Sequence, residues 1–204
     1  AATSPNLTAG TTLDVAGTLN AGGNADLRSG GDLTATTLAV TGDAMVDAGG
    51  NANVTTTTAA NATFEADAEL TVATMTTGNA ELEAGTNLSA TGTVTTTGAA
   101  SFDAGGTLSV ADLDATGDAT FVSVGDATLT GIDGADVRAR SEAMLTAGTT
   151  DATGLVDFDS TGDLASGTLT AAGLATINTR ADTDLGTMTA ESINATVAGT
   201  VEAT

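Results

Sequence analysis

There is no cysteine, histidine, lysine, tryptophan or tyrosine among the 204 residues of the sequence, and only one proline and four phenylalanines. Each gap removes a class of chemistry or architecture. Without cysteine there are no disulfides and no thiolate nucleophiles or metal ligands. Without histidine or lysine, the usual general base and amine nucleophile are missing. With so few aromatics, no ordinary globular core can be built from large side chains. No stretch of about 18 apolar residues occurs, so no helix spans a bilayer. The chain opens AATSPNLTAG, without a signal peptide or an initiator methionine, which suits a processed protein or an excised segment.

What is present is small, β-branched and acidic. Alanine, threonine and glycine dominate, and 26 carboxylates face four arginines, Arg28, Arg138, Arg140 and Arg180, for a net charge of −22. Such a charge repels nucleic acid and anionic membranes and collects cations around the chain. High charge with few aromatics is also the signature of disorder. Against disorder stands the ordered recurrence of Thr, Val and Leu, with charged residues at only 15% of the chain.

That recurrence has a fixed period. Leu19, Leu38, Thr57, Met75, Val94, Leu113, Ile132, Thr150, Leu169 and Met188 follow one another at intervals of 18 or 19 residues. A second series runs Leu27, Val46, Phe64, Leu82, Phe102, Phe121, Val137, Phe158, Ile177, Val197. A looser third runs Leu13, Leu33, Val54, Leu70, Leu88, Leu108, Leu129, Leu145, Leu164, Leu185. Between these positions, short alternating segments are broken by Gly, Asn or Asp, the pattern of brief strands and tight turns. Threonine's β-branched side chain favours the same state. A unit of this length cannot bury its own apolar face, so successive units must stack. The expectation is one all-β domain over residues 1–204, a parallel β-solenoid of about ten turns with three short strands per turn. The three series become inward columns, the four phenylalanines stack along one of them, and glycines in the AGG triplets at residues 21–23, 48–50 and 104–106 supply positive φ at the corners. At about 4.8 Å per turn, the rod is about 50 Å long.

The motifs GGDLT (Gly30 to Thr34), GGTLSV (Gly105 to Val110), AGTNLSATG (Ala84 to Gly92) and GDLASGTLTAAG (Gly162 to Gly173) resemble the shaft repeats of filamentous haemagglutinin-like exoproteins, bacterial adhesins exported by two-partner secretion. The resemblance spans essentially the whole chain. It implies a right-handed helix, a secreted or cell-surface location, and a structural role in attachment or in a biofilm matrix. The secretion domain that begins such exoproteins has no counterpart here.

Candidate sites are few. Enzymatic activity is not expected, because a carboxylate pair is the only catalytic set available and nearly loopless units build no cleft. Asp112, Asp114 and Asp118 form the densest carboxylate group and are the weak candidates for calcium, although no EF-hand loop or GGxGxD nonapeptide is present. On a strand, Asp112 and Asp114 simply flank inward Leu113. Diffuse cation binding is the stronger expectation, since −22 along about 50 Å approaches the line charge of duplex DNA. Thr-x-Thr pairs at 56/58, 74/76, 93/95, 168/170 and 187/189 resemble the ice-binding faces of antifreeze solenoids, but the series is interrupted at Asp112/Asp114, Gly131/Asp133 and Thr149/Asp151. Expected partners are copies of itself or adjoining repeats joined end to end, because the terminal turns carry no capping element, and cell-surface carbohydrate or protein. The principal functional expectation is the rod of an adhesin or matrix fibre, with a self-assembling filament or sheath subunit and an ice-binding solenoid as alternatives.

Overall fold

A computed structural model describes residues 3–203, which form 23 strands and no helix. The strands alternate between two parallel sheets. Eleven form a first wall, from Asn6–Ala9 to Ser192–Val197, and twelve form a second, from Leu13–Ala21 to Val201–Ala203. Away from the two ends, strands pair in parallel with their counterparts one turn earlier and one turn later, so the chain is a β-solenoid of about ten turns.

The three expected segments per turn are present, but the second wall joins two of them into one bent strand. In Leu33–Val40 the inward residues are Leu33 and Ala35, then Leu38 and Val40. The alternation therefore slips by one residue at Thr36 and Thr37, which divides the wall into a near limb and a far limb. Turns of 20 residues carry one extra residue at this bend, at Ala16–Gly17 and again at Thr91–Gly92.

The first inward series is reproduced link by link, from Leu19 beside Leu38 to Leu169 beside Met188. The second series needs two corrections. The column passes from Phe121 through Ala139 to Phe158, and from Ile177 to Ala195, whereas Val137 and Val197 lie one inward position to either side. The third merges two adjacent columns: Ala52, Ala127 and Thr183 sit beneath the leucines, while Val54, Leu129 and Leu185 belong to the neighbouring column of Ala35, Val72 and Val110. The physical reason is volume. At these slips, where one slot holds Ala or Thr the adjacent slot of the same turn holds Val or Leu, so the bulky side chain of each turn is kept while its position shifts by one slot. All four phenylalanines share one column. Only Phe102 and Phe121 occupy successive turns, stacked at 5.1 Å between centroids and 14° between planes.

The corner glycines serve a different purpose from the one expected. Among the described residues only Gly17 has positive φ, +110°. At the corners successive turns lie so close that side chains do not fit: a Cβ on Gly49 would sit 2.9 Å from the Gly30 carbonyl oxygen, and one on Gly105 would collide with that of Gly85. Close approach, not backbone handedness, selects glycine there.

Candidate interaction faces

Because the interior is filled, whatever the molecule recognises must lie on its outer faces or its ends. Each face is a lattice. Residues recur about 3.3 Å apart along a strand and about 4.8 Å apart from turn to turn.

The far limb of the second wall carries the threonines. Thr56 and Thr58, and Thr74 and Thr76, point outward on either side of buried Thr57 and Met75. The columns continue through Thr93 and Thr95, then change to Asp112 and Asp114, Gly131 and Asp133, Thr149 and Asp151, and return to Thr168 and Thr170. The longest unbroken run of paired threonines among the described residues is three turns. Thr93 Oγ1 donates to Asp112 Oδ2 at 2.9 Å, closing the threonine run onto the acidic band.

Within that band Asp114, Asp133 and Asp151 stand in a single column, one per turn. Burial first, and then the charges of Asp151, Asp114 and Asp112, push the Asp133 carboxyl above the usual carboxylate range. The remaining calcium candidate, Asp118, lies elsewhere. It sits on a corner, where its Oδ2 is 3.6 Å from Arg138 and its Oδ1 accepts from the Asp136 N–H. Asp126 lies on the opposite corner, accepting from the Met144 N–H at 3.1 Å. The carboxylates that are close in sequence are thus dispersed over three parts of the surface. No cluster of three or more among the described residues is arranged to hold a metal ion.

The corners show what many of the acids do. In one staircase Asp32 Oδ1 accepts the Asn51 N–H (2.9 Å), Asn51 accepts Glu69, Asn87 accepts Thr107, and Asp182 accepts Thr200 (2.8 Å). In the other, Asn24 accepts Asp43, Asn79 accepts Ala99, and Asp136 accepts Leu155 (3.0 Å). Each Asn or Asp thereby satisfies a backbone donor one turn away, where the chain turns and the sheet ladder stops. The Leu155 N–H, helped by Arg138, holds the Asp136 carboxyl below the ordinary range. The Thr200 N–H and hydroxyl do the same for Asp182. Buried hydroxyls finish the corners from inside, as where Ser29 Oγ donates to the Gly31 carbonyl at 2.7 Å.

The outer face of the first wall carries charges of both signs. Asp47, Glu65, Glu83 and Asp103 form a column over four successive turns. Further along, Arg138 and Arg140 project from the strand Val137–Ser141, with Arg138 bound to Asp136 at 2.9 Å. They border a shallow groove of about 260 Å³ shared with Thr120, Asp157 and Asp159. Neither this charge pattern nor the corner staircases was anticipated; once the register is known, the acidic column and the staircases emerge as Asp, Glu and Asn meeting a partner 18 to 20 residues away.

At the two ends the stack is open. Ile193 and Val201 are 50% and 54% exposed, and Leu7, Leu13, Val15 and Leu19 are only partly covered. Among the described residues no helix is long and apolar enough to cross a membrane. No protein-family model matches the chain, and no match emerges among curated proteins or among solved structures.

Proposed function

We propose that the chain is a structural rod: a shaft segment of a secreted bacterial adhesin or biofilm-matrix fibre, holding attachment elements at a distance or linking cells. The observation that carries this reading is the unbroken register. Parallel pairing passes from Asn6–Ala9 to Ser192–Val197 through every intervening turn of the first wall, so a displacement at one end is transmitted to the other. The filled interior and the turn-sized repeats support the same reading. Display on a non-adherent bacterium tests it. Cells carrying the chain are expected to gain attachment to surfaces or to one another over cells carrying the anchor alone, and no gain would overturn the adhesive role.

A second reading is end-to-end assembly, favoured by the uncovered apolar rows of the terminal turns. Ala195 lies in the column that begins at Leu7, and Val201 in the column that begins at Leu13. A further turn, from adjoining repeats or from another copy, would continue both columns. Electron microscopy in chelator and in calcium separates the readings. Discrete rods of about 50 Å support the shaft alone. Long fibres support assembly, and fibres only with calcium would give the acidic surface a part in it.

A further inference from the structure

The charged face of the first wall is complementary to itself. Glu81 and Glu83 project outward from the strand Asn79–Ala84, and Arg138 and Arg140 from Val137–Ser141. The register places Glu81, Ser101, Thr120 and Arg138 in one column, and Glu83, Asp103, Val122 and Arg140 in the next. The acidic and basic pairs therefore occupy the same two columns, three turns or about 14 Å apart. We infer that this face docks a second copy of the chain, antiparallel, about a two-fold axis that runs along the strands midway between Ala100–Ala104 and Ala119–Ser123.

That axis follows from the lattice. Rotation about a line parallel to the strands keeps each column opposite itself and reverses the order of turns, so an isologous contact results. Arg138 and Arg140 then face the partner's Glu81 and Glu83, and the symmetry supplies both pairs a second time. The rest of the face is compatible. Asp103 meets Val122, Asp47 meets Asn178, and Met45 meets Thr176. One opposition is unfavourable, Glu65 against Asp159. A wall of eleven strands five residues wide presents about 800 Å², the area each partner of a stable standard-size interface buries. Both copies carry −22, which opposes association over long range. Salt removes that repulsion before it removes close pairs, so pairing is strongest at intermediate ionic strength.

Sedimentation equilibrium of the 204-residue chain from low to high salt tests the inference. The expected result is a dimer whose population passes through a maximum near physiological salt; a monomer throughout would overturn it. Arg138→Glu with Arg140→Glu weakens pairing at least about tenfold, and so does Glu81→Arg with Glu83→Arg. The second variant is decisive, because its net charge falls from −22 to −18 and general repulsion alone would make it associate better. All four changes together restore the wild-type dimer within about threefold. Failure of that rescue in chains with unchanged circular dichroism would overturn the register. Glu65→Gln tightens the dimer, and an unchanged Kd would likewise move the contact elsewhere. The inference does not depend on the shaft reading: a rod that never pairs remains a rod.

Discussion

Aspartates on the wall and aspartates at the corners recur at the same interval but have opposite effects. Asp114, Asp133 and Asp151 stack on one another with no donors between them, and Asp133 is driven toward its neutral form. Asp136 and Asp182 stack on backbone N–H groups and are held in their charged form. Two like charges about 4.8 Å apart repel by about 1 kcal/mol even in water, whereas an N–H to a carboxylate is among the stronger hydrogen bonds. In a solenoid, what a carboxylate contributes is decided by what lies one turn away.

The harshest way to break the comparison is to destroy the register that both regions share. Phe102→Ala opens a cavity beside Phe121 and is expected to lower stability by about 3 kcal/mol or more in denaturant melts. Gly105→Ala forces the corner apart at the Gly85 carbonyl and should broaden or split the transition.

A milder set sharpens it. Replacing Asp114, Asp133 and Asp151 together with threonine continues the flanking columns, and should stabilise the rod by about 1 kcal/mol after allowance for solvent screening. The gain should shrink as salt is added. At the corner, Asp136→Ala strands the Leu155 N–H and releases Arg138, and is expected to destabilise by about 1 kcal/mol. Asp136→Asn keeps the acceptor but loses the charge that Arg138 and the N–H favour, and should cost less than Asp136→Ala. A loss as large for Asn as for Ala would mean that charge, not acceptance, matters there.

Acid titration gives the two regions separate windows. A carboxyl raised in the fold makes stability fall as pH rises from about 3.9, the unfolded value, through its native pKa. Asp133 therefore opposes folding above that window and ceases to below it. A carboxyl lowered in the fold stabilises above about 3.9 and loses that contribution as pH falls through its native pKa. Asp133→Asn should accordingly alter the pH dependence on the upper side and Asp136→Asn on the lower side. A comparable effect concerns Thr57 and Thr150, whose buried hydroxyls find no partner in the core columns. Valine at either site should raise stability by about 1 kcal/mol or slightly less.

How much of this was legible depended on whether a residue's neighbour was specified by period alone. The Leu19-to-Met188 series was readable because each member is confined to one slot. The slips at Val54, Leu129, Val137 and Val197 arose where alanine held the expected slot and the bulk lay two residues away. A one-dimensional series cannot distinguish adjacent inward positions when their summed volume is what is conserved from turn to turn. Corner roles were harder still, since the residue type at a corner alternates between Asp and Asn: Asp32, Asn51 and Asn87 act as acceptors one turn ahead, yet each also suits a local turn. The Thr-x-Thr columns and their interruption at Asp112 to Asp151 were visible directly, because strand alternation alone places them outside.

The inter-turn hydrogen bonds all run along the rod. Tension applied at the two chain ends therefore does not shear the sheets; it peels them, one turn at a time. Each turn released exchanges about 4.8 Å of rod for 18 to 20 residues of free chain, about 60 Å when extended. Under a pull each turn surrendered would lengthen more than tenfold, so the rod would yield through many small steps instead of one failure, and rewind when the force is removed. The same stack that is a rod at rest is thus a reel under strain.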